Sequence, residues 1–251
     1  MFRTFLMTSA LCLATALPAS ATDIDAMTDG ERDAFRAEVR AYLLDNPEVL
    51  MEAIAVLEER RAQDAAQADV ALLENYGEEI FNDGFSYVGG NPDGDITVVE
   101  FLDYQCSFCK RAFPAVEELI AGDGNIRFIV KEFPILGDAS VLGSRYAIAV
   151  KNLYGDDAYK IIHDELMLLR GGLTPQTLVR LSEDQNFDHD DIRAEMDNED
   201  ITRIIDANRD LAARLQIQGT PSFIMGVTFV RGFLELNQMR QVIASERQNQ
   251  G

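Results

Sequence analysis

Two hydrophobic periodicities divide the chain. From about residue 28 to residue 76, apolar positions recur at helical spacing. Thr28 with Glu31 forms a capping box, and Phe35, Val39 and Tyr42 follow it, which predicts a first helix. Asn46 followed by Pro47 predicts the start of a second helix, capped by Asn46 with Pro47 at its first position. Leu50, Ile54 and Leu57 form its apolar stripe, and an alanine-rich stretch continues through Val70, Leu72 and Leu73 to Tyr76-Gly77. From Pro47 to Tyr76 such a helix would reach about 45 Å. That is too long for a small domain to cover, so the helix either lies partly across the rest of the chain or pairs with copies of itself. The Leu50/Ile54/Leu57 stripe argues against full solvation and favours self-association.

Beyond residue 79 the pattern changes to short apolar runs between turns and helices. A short strand is predicted at about Phe85–Val88, ended by Gly89-Gly90-Asn91-Pro92. A central strand covers Ile96–Leu102, helix-forming sequence runs from Lys110 to Ile120, and a further strand covers Ile126–Glu132. A block of helices is predicted at about Ala139–Leu153, Ala158–Leu169, Pro175–Asp184, His189–Met196 and Thr202–Leu215. Two short strands, Ser222–Met225 and Thr228–Gly232, and a last helix at about Leu236–Glu246 complete the pattern. Strand–helix–strand, a helical block, then strand–strand–helix is an α/β arrangement: a thioredoxin fold whose halves are separated by inserted helices.

The first 21 residues carry a different signal. Arg3, an apolar run from Phe5 to Leu17 and Ala19-Ser20-Ala21 have the layout of a secretory signal peptide cleaved after Ala21. The run is too short to span a bilayer as an anchor. Cys12 sits in mid-run after Leu11, without the small residue before it that a lipid-modified N-terminus shows. The domain expectation is therefore a signal peptide at 1–21, a helical arm at 22–79 that makes the protein oligomeric, and a catalytic domain at 80–251 with its helical insertion at about 138–215. The net charge of −21 makes nucleic acid and anionic membrane surfaces poor partners.

Cleavage removes Cys12 and leaves Cys106 and Cys109 as the only thiols. Two cysteines cannot furnish a four-ligand structural zinc site, and His163 and His189 lie far off in sequence. A structural bridge between positions i and i+3 closes almost no loop and would stabilise little. Redox chemistry in an exported, oxidising compartment such as the periplasm is what remains, with no cofactor required. Cys106 starts the helix, where free amides and the macrodipole favour its thiolate, so it is the nucleophile. Cys109, one turn further in, resolves the mixed disulfide and closes the Cys106–Cys109 bridge. Ser107 and Phe108 lie between the thiols and tune the couple. Lys110 reads as a solvated lysine, and His163 and His189 as surface or helix-end residues.

The segment Phe101-Leu102-Asp103-Tyr104-Gln105-Cys106-Ser107-Phe108-Cys109-Lys110 resembles the active-site segment of DsbA-like thiol–disulfide oxidoreductases, and Gly219-Thr220-Pro221-Ser222-Phe223 resembles their cis-proline loop. The segment from Tyr42-Leu43-Leu44-Asp45-Asn46-Pro47 onward resembles the N-terminal extension of ScsC-like members, in which the extension oligomerises, often into trimers. The resemblance implies a cis Thr220-Pro221 bond facing Cys106, with the Thr220 backbone held open for a substrate strand. It implies that Glu100, six residues before Cys106, is a buried proton acceptor for the resolving thiol; a surface or salt-bridged glutamate is the alternative. Phe108 stands where strongly oxidising members have a histidine, so a less oxidising couple is expected.

The function expected is an exported oxidoreductase acting on cysteines of envelope proteins, isomerase or reductase rather than dithiol oxidase. Its partners would be unfolded or misoxidised envelope proteins and a membrane redox partner, either a DsbD/ScsB-like reductase or a DsbB-like oxidase. The alternative is a Cu(I)-handling protein using the same soft thiolates, although the chain lacks the Met/His/Cys clusters of a dedicated copper carrier. A scaffold with a vestigial thiol pair is a third reading.

Overall fold

The computed structural model describes residues 24–250. The segment 1–21, expected to be a signal peptide, lies outside the described residues together with Cys12. The chain divides into two compact units, one up to Arg61 and one from Ala62 on. Among the described residues no helix is long and apolar enough to cross a membrane.

In the first unit, α1 (Asp29–Asp45) starts at the expected capping box. Thr28 Oγ1 accepts from the Glu31 amide at 3.4 Å, while Glu31 Oε2 accepts from the Thr28 amide at 2.9 Å and its hydroxyl at 2.7 Å. Asn46 behaves differently from expectation. Its backbone N–H and its side-chain Nδ2 both donate back to the Tyr42 carbonyl, so it closes α1. Pro47 lies in the intervening turn and α2 (Glu48–Phe81) begins one residue later. An asparagine amide serves either helix end, and here the carbonyl left open by α1 captures it. Alpha-1 buries none of its residues. Phe35, Val39, Leu43, Leu44 and Leu50 line an open groove of about 420 Å³, and Met51, Ile54 and Leu57 are exposed as well.

The second unit takes up α2 from Ala62 and adds a five-stranded sheet in the order β1 (Tyr87–Gly90), β3 (Ile126–Glu132), β2 (Ile96–Leu102), β4 (Ser222–Met225), β5 (Thr228–Arg231). β2 and β3 are parallel, joined by α3 (Ser107–Asp123); the other neighbours are antiparallel. The block α4 (Asp138–Tyr154), α5 (Asp156–Leu168), α6 (Pro175–Asp184), α7 (His189–Met196) and α8 (Glu199–Arg214) lies between β3 and β4 in sequence, and α9 (Leu236–Gln250) ends the chain. This is the expected thioredoxin fold with a helical insertion.

Strand alternation builds two cores. Ile96, Val98 and Leu102 share one with Cys109, Phe113 and Val116 of α3 and with helices of the inserted block. Val99 and Phe101 share the other with Leu211 and Leu215, and with Ile80, Leu72, Leu73 and Tyr76 of α2. The end of α2 is thus part of the sheet domain's core, which is why the division between units falls inside that helix. Lys131, fully buried, points into the same side and is held by the Asp83 carboxylate and the Glu79 carbonyl. Asp83 also accepts from the amides of Phe85 and Ser86 and from the Ser86 hydroxyl. That turn consumes the first residues of the expected strand, so β1 starts at Tyr87 and extends through both glycines.

Candidate active site

Cys106 is the N-cap of α3, with Lys110 N–H donating to its carbonyl at 3.1 Å. Its Sγ lies 3.1 Å from the carbonyl of Thr220, 114 positions away in sequence, and the Thr220-Pro221 bond is cis. Both thiols are free; Cys106 keeps 6% of its surface exposed and Cys109 none. Ser107 and Phe108 face outward between them. An open cleft of about 310 Å³ adjoins Thr220 and Pro221, walled further by Gln216, Gln218 and Arg231.

The two thiols titrate in opposite directions. Cys106 is pulled down to about 5 because its thiolate accepts from the Cys109 thiol first, and then from the Thr220 hydroxyl and the amides of Cys109 and Phe108; these outweigh its partial burial. In the thiol form the same sulfur donates to the Thr220 carbonyl, so that one residue serves both protonation states, by its hydroxyl and its carbonyl. Cys109 is pushed far up, by burial above all, then by giving its hydrogen to Cys106 and by the nearby Glu100. The order of the two thiols follows from position: the outer one meets the open end of the helix, the inner one meets the core.

Glu100 is buried, 2% exposed, on the face of β2 that turns toward α3. Burial, then the Glu117 carboxylate, then Cys106 raise it to about 8. Its Oε1 has no hydrogen-bond partner among the described residues.

Sequence reasoning assigned no role to Asp103. It is fully buried and its carboxylate clamps two segments: Oδ1 accepts from the Gln105 amide at 2.7 Å, Oδ2 from the amides of Ile135 and Leu136 at 2.8 and 3.0 Å. The Asp103 carbonyl accepts from the Cys106 amide at 3.0 Å. Asp103 therefore ties the turn before Cys106 to the loop after β3. Beside it, Tyr104 donates to Glu132 Oε1 at 2.7 Å; Tyr159 donates to the same oxygen at 2.6 Å and Ser144 to Oε2 at 2.6 Å. Burial raises Glu132 to about 7 against those three donors. Gly143 lets α4 approach this cluster, since a Cβ there would stand 3.2 Å from the Tyr104 ring.

His163 corrects the surface or helix-end reading. It is buried on α5, its Nδ1 3.1 Å from the Tyr104 hydroxyl and its ring packed on Phe113 and Tyr159, and burial holds it down at about 3. The acidic neighbours in sequence lie on the outer face of the helix, so local composition pointed the wrong way. His189 is the first residue of α7, at a helix end as expected, and meets Ser182 at 3.1 Å. Lys110 is half-buried and donates to the Leu169 carbonyl at 2.8 Å, so it is tied to the inserted helices rather than solvated. Phe108 is 54% exposed beside Phe233, over which the Arg111 guanidinium stacks at 4.5 Å.

Comparison with known proteins matches both parts. Residues 83–245 match the thioredoxin family model, and residues 31–64 match that of the copper resistance protein ScsC N-terminal domain. A thioredoxin-like oxidoreductase from Silicibacter pomeroyi is 34% identical, covers 68% of this chain and 97% of its own, and superposes with a TM-score of 0.65. The thiol–disulfide exchange protein alpha-DsbA2 from Wolbachia pipientis is 26% identical over 72% of this chain and 97% of its own, TM-score 0.67. ScsC of Proteus mirabilis, in a transitional conformation, is 26% identical over 90% of this chain and all of its own, TM-score 0.65. The chain spans about a fifth of the length of the curated Na(+)/H(+) antiporter NhaA 3 of Salinispora tropica, which it matches at 29% identity over 139 residues.

Proposed function

The chain belongs to the thioredoxin family, and from that premise we propose that it is an exported thiol–disulfide oxidoreductase working on the cysteines of envelope proteins as an isomerase or reductase. The observation that carries this reading is the split between the thiols: a Cys106 thiolate populated from about pH 5 upward at the rim of the site, beside a Cys109 thiol kept protonated in the core. The outer sulfur attacks a client disulfide, and the inner one stays in reserve.

The cycle runs in two stages. The Cys106 thiolate attacks a client sulfur, forms a mixed disulfide and expels the client's other thiolate. The client strand pairs with the Thr220 backbone, whose neighbour Pro221 has no N–H to compete. Then either another client thiol displaces Cys106, which completes an isomerisation, or Cys109 attacks Cys106, which completes a reduction and leaves the Cys106–Cys109 disulfide. Resolution requires Cys109 to lose its proton. Glu100, buried on the same side of β2, supplies the base, and its raised value near 8 matches it to proton transfer better than an ordinary carboxylate.

The direction of the couple rests on Phe108. An apolar residue between the cysteines adds no charge to hold the thiolate, and a Cys106 value of about 5 lies between roughly 3.5 for DsbA and roughly 7 for thioredoxin. We place the potential between theirs, roughly −120 and −270 mV. A membrane reductase of the DsbD/ScsB kind would keep such a pair reduced, and a DsbB-like oxidase would keep it oxidised. The exposed apolar groove of the first unit supports assembly through residues 24–61, which would present several Cys106 thiols to one client.

Insulin reduction together with rescue of scrambled ribonuclease tests this function. Absence of activity in both assays, with the thiols intact, overturns it. The description of the N-terminal family model favours a second reading, Cu(I) binding. Among the described residues no group of three or more His, Cys, Asp or Glu is placed to hold a metal, so Cys106 and Cys109 would hold it alone. A Cu(I) titration whose affinity disappears in Cys106→Ser supports that reading.

A further inference from the structure

Two carboxylates on the α3 side of the sheet each have one oxygen without a partner. Glu100 Oε1 and Glu117 Oε1 are both shut off from solvent and take no hydrogen bond from any described residue. Leaving one buried carboxylate oxygen unpaired is costly; here two occur within electrostatic reach of one another. Glu100 lies on the β2 face that turns toward α3, and Glu117 lies on α3 two turns beyond Cys109, beside the inward positions Phe113 and Val116. Glu117 is the strongest charged influence on Glu100, ahead of Cys106.

The two ends of Glu117 differ. Its Oε1 is buried, but its Oε2 accepts from Lys160 Nζ at 2.9 Å, and 34% of the side chain is exposed. Lys160 is held in turn by both Asp164 oxygens at 2.7 Å. Glu117 thus reaches from the interior, where its charge acts on Glu100, to the surface between α3 and α5; the two carboxylates do not hydrogen-bond each other. Glu100 by itself has no such exit, because it is enclosed by the sheet and α3.

We propose that Glu117 is the outer station of the proton path for the resolving thiol: the proton that Cys109 yields to Glu100 crosses by way of water between the two unpaired carboxylate oxygens to Glu117 and leaves to solvent beside Lys160. This rests on the reading of Glu100 as the base for Cys109. In resolution the Cys109 S–H bond breaks and its electron pair forms the S–S bond to Cys106. The bond from Cys106 to the client breaks, and the client sulfur departs with that pair as a thiolate. The proton goes to Glu100, then through intervening water to Glu117, then to solvent, and an equivalent proton from solvent neutralises the client thiolate. The cysteine pair loses two electrons and the client gains them.

The charged and titratable groups around the path are few. Cys106 and Cys109 face Glu100 from the start of α3, and the Tyr104 hydroxyl senses it from the preceding turn. Lys160 of α5 faces Glu117, and Tyr87 of β1 senses both Glu117 and Lys160. Glu117 acts through Glu100 and touches no client, so it is a positioning residue for the proton and not a catalytic one.

The test is single-turnover reduction of a peptide disulfide by the reduced full chain, following release of the second peptide thiol from about pH 6 to about pH 10. In the wild type the resolution rate rises with a midpoint near 8, as Glu100 ionises. Glu100→Gln should remove that limb and lower the plateau by on the order of a hundredfold. Glu117→Gln should move the midpoint down, because a neighbouring negative charge is gone, and should also lower the plateau by roughly tenfold. The double variant should be no slower than Glu100→Gln, since both lie on one path, and Glu117→Asp should recover part of the plateau. A lowered midpoint with an unchanged plateau shows a purely electrostatic neighbour and overturns the path. A Glu117 effect that persists at full size in the double variant also overturns it. If Glu100→Gln resolves normally, the reading of Glu100 as the base is lost and the path with it; if only Glu117→Gln is normal, Glu100 stands and Glu117 does not.

Discussion

The sulfur of Cys106 and the carbonyl of Thr220 meet at 3.1 Å across 114 positions of sequence, and that contact joins the two halves of a fold that the inserted helices hold apart in the chain. It places the Cys106 sulfur against the backbone on which, in the proposed cycle, a client strand would lie. In that cycle one contact sets both the attacking thiol and the surface that presents its target.

The low value of Cys106 depends chiefly on a hydrogen bond from Cys109. Ultraviolet thiolate absorbance should therefore titrate near pH 5 in the reduced wild type. In Cys109→Ala the largest stabilising donor is gone, and the midpoint should rise toward the ordinary thiol range. An unshifted midpoint in that variant would show that the helix amides and Thr220 suffice.

Asp103 satisfies three amides with one buried carboxylate. Asp103→Ala strips those amides of their acceptor inside the protein. A loss of stability of about 3 kcal/mol or more is expected, given the cost of unsatisfied buried donors. Turnover should fall with it, because the turn ahead of Cys106 loses its tie to the loop at 135–136. Denaturant unfolding and insulin reduction measure the two effects. Full activity in a variant that is merely less stable would separate the clamp from catalysis.

His163 makes the fold sensitive to acid. Its folded-state value is depressed to about 3 from the ordinary 6.5. Protonation is thus easier in the unfolded chain, so the contribution is present above about pH 6.5 and is lost as pH falls toward 3. His163→Phe cannot be protonated. The stability of the wild type relative to that variant should drop by on the order of 2–4 kcal/mol between pH 7 and pH 3.5. Denaturant melts of both proteins at the two pH values give the comparison; a constant gap would mean that His163 ionises as freely as it does in water.

The first unit exposes Phe35, Val39, Tyr42, Leu50, Ile54 and Leu57. A set of that size on one pair of helices calls for a covering surface. Sedimentation of the full mature chain should show an oligomer. Leu50→Asp with Ile54→Asp should yield monomers that still reduce insulin, with scrambled-ribonuclease rescue the activity that falls. A monomeric wild type would remove the basis for assembly through this unit.

Much of the architecture was legible from local pattern. The spans Ile96–Leu102, Ile126–Glu132, Pro175–Asp184, His189–Met196 and Ser222–Met225 coincide with the observed elements, because β-branched runs, proline starts and capping residues act within a few positions of themselves. The Thr28–Glu31 box and the placement of Cys106 at the head of a helix are local in the same sense. Asn46 was misread because its side chain can accept from the amides that open one helix or donate to the carbonyls that close another, and here its Nδ2 meets the open Tyr42 carbonyl.

By itself, then, the sequence determined the order of elements, the pair of thiols and which of them sits at the open end of a helix. Only the tertiary structure decided what surrounds them. It buried His163 against Tyr104, closed Asp103 on the amides of residues 135 and 136, and brought Glu100 under the influence of Glu117. The physical reason is that hydrogen-bond partners and titration depend on distance and on exclusion of water. Segments far apart in the chain supply both, and those quantities do not exist until the sheet and its helices have packed.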